Sequence, residues 1–438
     1  MRHLKKRTGP LAIAMALTLA LAACGGEDEN TPPTDTETQA QTQTETQTPT
    51  ETSTATEDDT SDEQASLPAD PFADLKVAAQ AVGNNGSAKA LATGIAAATG
   101  MEGDVESPAA QLYATLSTLL QEHVYLAGIA VDAGVNFGLD SEGFKAAAAA
   151  LDENSVELAD VVGSVAPDQR DAFLELWRNH IGFFVNYAKG LATDDQELAD
   201  QAQANLDEYQ QQAGAFFEKI SGGEIPADAV VESLEGHIET LNGAIEAAVA
   251  GEGTVFTELR EAANHVGESG SAKALAGGIV AATGMEGDVE SPAAQTYATL
   301  STVLEEHVYL SGITVKTAFA AGLDSEAFSA AEAALDENTV ELADLVGSVA
   351  PDQRDAFIEL WRQHIGFFVD YAKGVATDDD SLKEGAIEDL NGYREQAGAF
   401  FEKISGGEIP ADAVKQNLDK HVETLTTAID SLGAVLVQ

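Results

Sequence analysis

The chain has one cysteine, Cys24, in 438 residues, so no disulfide can form within it and no cluster of thiols can hold a metal. It has 22 Lys and Arg against 74 Asp and Glu, a formal net charge of −52. A surface of that sign repels phosphate, which excludes nucleic acid and anionic lipid headgroups as default partners. Catalytic signatures are missing as well. The sequence contains no G-x-S-x-G, no Walker loop, no G-x-G-x-x-G and no H-E-x-x-H, so nothing in it argues for an enzyme.

The N-terminus, by contrast, is specific. Arg2, Lys5, Lys6 and Arg7 form a basic region, and Leu11 to Leu21 an apolar run too short to span a bilayer. Leu21-Ala22-Ala23-Cys24 then follows, and it resembles the lipobox of bacterial lipoproteins. The resemblance implies removal of residues 1–23 and acylation of the Cys24 thiol. Several acyl chains on one cysteine make a stable anchor. The mature chain is therefore expected to be tethered to a bacterial membrane on its extracytoplasmic side.

Residues 25–66 contain no Leu, Ile, Val, Phe, Tyr, Trp or Met and are rich in Thr, Glu, Gln, Asp, Ser and Pro. Such a composition cannot bury enough apolar surface to offset the entropy of ordering, and predicts a disordered acidic stalk over residues 24–66. Removing residues 1–23 takes away four Lys/Arg and no acids, which moves the net charge from −52 to −56. The acids are spread along helix faces rather than gathered in a D-x-D-x-D-G loop. That favours a solvated surface adapted to high salt over a reservoir for cations.

A shift of 184 residues aligns the chain on itself. SAKALATGIAAATGMEGDVESPAAQ from Ser87 returns as SAKALAGGIVAATGMEGDVESPAAQ from Ser271, and 118 of 164 positions match between 87–250 and 271–434. Two copies are too few for a solenoid, and each is long enough to be a domain. The expected division is 67–250 and 251–438.

Within a copy the signals are helical. Ser107-Pro108 places an N-cap before proline, Gly138 to Ser141 interrupts, Ala166-Pro167-Asp168 starts a further helix, Gly222-Gly223 ends another and Pro226 opens the last. Shorter helices are predicted over Pro71–Val82 and from Ser87 to Ala98. No run alternates with period two. In the segment from Asp195 to Ser221, where most positions differ between copies, Leu198, Ala202, Leu206, Tyr209, Ala213 and Phe216 recur as Leu382, Ala386, Leu390, Tyr393, Ala397 and Phe400. This is one face of a helix and the predicted buried stripe. The fold class is all-α: two tandem homologous helical bundles after a disordered stalk.

Three histidines recur in each copy, His123, His180 and His237, then His307, His364 and His421. Each lies on an apolar stripe: His180 with Phe173, Trp177 and Phe184, and His237 with Val230, Leu234 and Leu241. Residues three and four apart share a helix face, so three helices each deliver an imidazole to the interior. A buried imidazole needs partners. One solution is a hydrogen bond to Tyr, Ser, Asn or Asp in the core. The other is convergence on a metal, as imidazoles of facing helices do in bundle cores.

If a metal is held, imidazole suits Zn(II), Cu(II) or iron, while Met101 and Met285 are the only sulfur ligands in the repeats. Glu122, Glu175 and Glu235 neighbour the histidines in sequence, but the chain has no E-x-x-H, which argues against a ferritin-like dimetal centre. Ligation of a haem by two histidines stays open. His265 has Ala81 at the matching place and reads as a junction histidine. Trp177 and Trp361, with Phe183, Phe184, Phe367 and Phe368, are expected in the core. Asp152-Glu153-Asn154 and Thr193-Asp194-Asp195 are expected to cap helices or form turns.

EHVYL from Glu122, LDENSVELADVVGSV from Leu151 and LWRNHIGFFVNYAKG from Leu176, with their second-copy counterparts, resemble helical repeats of uncharacterised secreted or lipid-anchored bacterial proteins, some labelled copper amine oxidase-like N-terminal. The resemblance implies no activity. The cofactor-forming T-x-x-N-Y-D/E of copper amine oxidases is absent, since Asn186-Tyr187 precedes Ala188. The sequence thus reads as a membrane-anchored extracytoplasmic binding protein with three inward histidines per bundle. The alternative is an envelope module that binds a protein partner and whose histidines are structural.

Overall fold

The computed structural model describes residues 70–83, 86–267 and 270–437; the signal region, Cys24 and the stalk lie outside the described residues. Fourteen α-helices account for most of the described chain, with no strand among the described residues. They are α1 (Pro71–Val82), α2 (Ser87–Thr99), α3 (Pro108–Phe137), α4 (Glu142–Val165), α5 (Arg170–Ala192), α6 (Gln196–Ile220) and α7 (Ala227–Ala250), then α8 (Val255–Gly267), α9 (Ser271–Thr283), α10 (Pro292–Ala321), α11 (Glu326–Val349), α12 (Arg354–Thr377), α13 (Asp380–Ile404) and α14 (Ala411–Leu436). The all-α class follows from this list, and no described helix is long and apolar enough to cross a membrane.

The helix ends fall where the punctuation places them. Ser107 Oγ accepts from the Ala110 amide at 3.3 Å and Ser141 Oγ from Phe144 at 3.1 Å. Gly138, after α3, has φ of 87°, a conformation that favours glycine. Asp195 caps α6 through the Leu198 amide at 3.1 Å, as expected of a capping residue. Asp152-Glu153-Asn154 is different: it lies inside α4, with Asp152 bound to Arg178 and Asn154 fully buried. No glycine or proline interrupts that stretch, so the helix runs through it. The α6 stripe holds at Ala202, Leu206, Tyr209 and Ala213, while at its ends Ala199 and Phe217 are buried and Leu198 and Phe216 only half-buried.

The longest helices, α3 and α10, pack against each other at the centre. Around α3 lie α4 to α9, and around α10 lie α11 to α14 together with α1 and α2. The first two helices of each sequence copy therefore complete the other copy's bundle. Close approaches show the exchange. A Cβ on Gly312 of α10 would stand 2.5 Å from Leu75 of α1, and one on Gly128 of α3 would stand 2.5 Å from Leu259 of α8. Backbone bonds reciprocate it, with Ala109 N donating to Glu286 O and Ala293 N to Glu102 O, both at 3.0 Å. Packing groups thus cut across the repeat boundary at 250/251, which falls between two helices, α7 and α8, in extensive contact.

Candidate metal centres

α3, α5 and α7 each carry one histidine of the first triad, and α10, α12 and α14 the second. All six side chains are buried, none more than 4% exposed. Within each triad, one ring nitrogen from every histidine lies within 4.8 Å of the other two. The Nε2 atoms of His123 and His180 are 3.4 Å apart, and those of His307 and His364 are 3.2 Å apart. Two imidazoles on one tetrahedral metal, at bonds of about 2.0 to 2.1 Å, place their nitrogens roughly 3.4 Å apart. The first pair in each triad already has that spacing, and the third offers a ring nitrogen within 4.8 Å of both.

Aromatic rings fix the imidazoles. Trp177 lies against His123 and His180 with centroids 4.9 and 4.6 Å apart, Tyr209 stacks on His180 at 4.7 Å, and Phe184 meets His237 edge-on at 5.7 Å. Trp361, Tyr393 and Phe368 repeat this around the second triad, at 5.0, 4.5, 4.8 and 5.4 Å. Trp177, His180 and Phe184 share one face of α5 because their spacing is three and four. The expectation that Trp177 and Phe184 are core residues holds, and the core they form is the wall of the triad.

Burial makes the imidazoles poor bases. It lowers His123 and His307 from the ordinary 6.5 to about 3, and His237 and His421 to about 4, with the neighbouring imidazole adding to the effect at His123 and His307. His180 and His364 fall well below the ordinary value, first by burial and then by the two neighbouring rings. Neutral imidazole is the form that ligates metals.

Internal hydrogen bonding to core Tyr, Ser, Asn or Asp is not how these rings are satisfied. Nδ1 of His123, His237, His307 and His421 is buried with no hydrogen-bond partner, while the backbone of Trp177 and of Trp361 contributes a hydrogen bond to His180 and to His364. Tyr209 and Tyr393 stack on His180 and His364 rather than bonding to them. No carboxylate joins either triad among the described residues. Glu175 and Glu235 are exposed, and Glu122 is buried but turned onto Asn154, Tyr309 and Lys76.

Each triad borders a cavity. One of about 90 Å³ lies beside His123 and His237, and one of about 70 Å³ beside His307, His364 and His421. Both hold several water molecules by volume but are too small for a haem macrocycle. The exchanged helices close them: Val266, Ser271 and Leu275 of α8 and α9 line the first, and Val82, Ser87 and Leu91 of α1 and α2 the second. His265 stays outside the triads, half-buried on α8 with Nε2 3.2 Å from the Ser233 carbonyl of α7.

Sequence reading missed two parts of the site. Tyr209 and Tyr393 stood in the recurring stripe of a diverged helix, which was the available signal for a constrained contact. The walls given by the other copy had no signal, because pairing between distant helices leaves no local pattern. No family model, curated protein or solved structure matches the chain.

Proposed function

We propose that this protein is a lipid-anchored, extracytoplasmic metal-binding protein with two buried three-histidine centres, one per bundle, for Zn(II), Cu(II) or iron. The observation that carries the reading is the meeting of three neutral imidazoles from three helices at ligand spacing, twice in one chain. The anchor and location rest on the signal region and Cys24. The competing reading is a purely structural triad, in which the Nε2–Nε2 contacts of His123 with His180 and of His307 with His364 are core hydrogen bonds; the third imidazole within 4.8 Å of both favours a metal.

The test is metal content by mass spectrometry on residues 25–438, purified without affinity-tag histidines and washed in high salt to strip ions from surface carboxylates. Two ions per chain are expected, falling to one in the His123→Ala/His180→Ala/His237→Ala variant. No metal after equilibration with Zn(II) and Cu(II) would overturn the reading in favour of core histidines and a partner-binding role.

A further inference from the structure

Three neutral imidazoles bring no charge to the metal they hold. A dication in such a site would keep its full charge inside an enclosure of Trp, Tyr, Phe, Leu and Val side chains, where an uncompensated charge is strongly disfavoured. Among the described residues no carboxylate or thiol joins either triad, and Glu224, which lines the first cavity, is an exposed residue. The missing negative charge has to come from outside the chain.

The structure has room for it and a group to receive it. The cavities of about 90 and 70 Å³ border the triads directly. Trp177 lines the first and Trp361 the second, and each is more than nine-tenths buried. In both, the indole Nε1 is buried and has no hydrogen-bond partner. An indole N–H can only donate, so what satisfies it is an acceptor. Both features recur in both copies.

We propose that each centre takes a small monoanion as a fourth, exogenous ligand, bound to the metal inside the cavity and receiving a hydrogen bond from the indole N–H of Trp177 or Trp361. This rests on the metal reading above. The mostly apolar lining, which in the first cavity includes Leu120, Val230 and Leu234 beside Ser233, Ser271 and Glu224, restricts the ligand further. Weakly hydrated anions of a few atoms fit, whereas sulfate and phosphate would leave most of their oxygens unpartnered. Because α8 and α9 wall the first cavity, and α1 and α2 the second, each anion site needs helices from both copies.

The test uses the full mature chain loaded with Cu(II) and titrated with sodium azide, with sodium sulfate as screening salt. The azide-to-copper charge-transfer band is read beside the copper content of the same sample. A saturable band with one azide per copper is expected, unchanged by phosphate. Trp177→Phe combined with Trp361→Phe is expected to weaken azide binding per bound copper about tenfold or more, the loss of one hydrogen bond to a charged acceptor. Two coppers per chain with no azide band would overturn the anion site and leave the metal reading intact. Unchanged azide affinity in the double variant would overturn the part given to the indoles, and with it the proposal. Failure to retain copper at all would show that the metal reading beneath it is wrong. Should the tryptophan variants not fold, Val230→Phe and Val414→Phe, which fill the cavities, are expected to remove the band. An undiminished band in those variants places the azide elsewhere and overturns the proposal.

Discussion

Glu122 and His123 are neighbours in sequence and both fully buried, yet the protein treats them in opposite ways. The Glu122 carboxylate accepts from Asn154 Nδ2 and Tyr309 OH at 3.0 Å and from Gln80 at 3.4 Å, and lies 3.9 Å from Lys76 Nζ. His123 has one hydrogen-bonding contact, Nε2 to Nε2, and an Nδ1 with no partner. The second copy repeats the contrast. Glu306 is bonded by Arg260 at 2.5 Å, Asn338 at 3.1 Å and Gln121 at 3.4 Å, while His307 Nδ1 is unpartnered. The carboxylates, which tie the two copies together at the α3–α10 contact, are completed by the fold. The imidazoles keep ring nitrogens that the fold does not pair.

The largest consequence is acid sensitivity of the metal-free chain. Folded-state values of about 3 for His123 and His307 and about 4 for His237 and His421 lie below the 6.5 of an unfolded histidine, and His180 and His364 are lowered too. Below pH 6.5 the unfolded chain therefore takes up protons that the folded chain refuses. Stability is complete above that pH and is lost as the pH falls towards 4. Each imidazole contributes at most about 1.4 kcal/mol per pH unit, so six give a limiting slope of roughly 8 kcal/mol per pH unit. Glu122, raised to about 7 by burial, and Glu306, raised for the same reason, act in the opposite sense between their folded values and 4.5, and cancel part of the slope. Denaturant unfolding at pH 7, 6 and 5 with a chelator present measures the net loss; a flat profile would mean that the rings are solvated.

Smaller effects sharpen the contrast. Glu306→Ala removes the acceptor of Asn338, Gln121 and one edge of Arg260, which keeps Glu337 and Glu341, and is expected to cost about 3 kcal/mol in denaturant unfolding. Saturating metal should stabilise the wild-type chain by about 2.7 kcal/mol per site at a hundredfold excess over Kd. That gain should halve in a chain lacking one triad. Gly312→Val, which drives a side chain into Leu75, should cost about 1 to 3 kcal/mol and loosen metal at His307, His364 and His421 rather than at the first triad, because α1 walls the second site. The smallest change is expected from His307→Leu in metal-free protein, about 1 kcal/mol, since the Nε2 contact to His364 is the one hydrogen bond lost. A loss as large as that of Glu306→Ala would erase the distinction between the two clusters.

The helices were legible because their ends carry local chemistry, as at Ser107-Pro108, Gly138 and Asp195. The inward histidines were legible because apolar spacing fixes which face of a helix is buried. Their convergence was not, since a helical wheel gives the face and not the depth at which three helices meet. Asn154 misled because its D-E-N context resembles a turn, while its amide serves the buried Glu122. The exchange of α1 and α2 for α8 and α9 could not be read at all. Tandem copies of such similarity present nearly the same surface for those helices, and only packing decides which one they cover.

The most direct test is a crystal structure of the metal-loaded chain with anomalous data at the metal edge. The account predicts one ion between His123, His180 and His237 and one between His307, His364 and His421, each about 2.0 to 2.1 Å from three ring nitrogens. Anomalous peaks confined to surface carboxylates, with both triads empty in a saturated crystal, would contradict it.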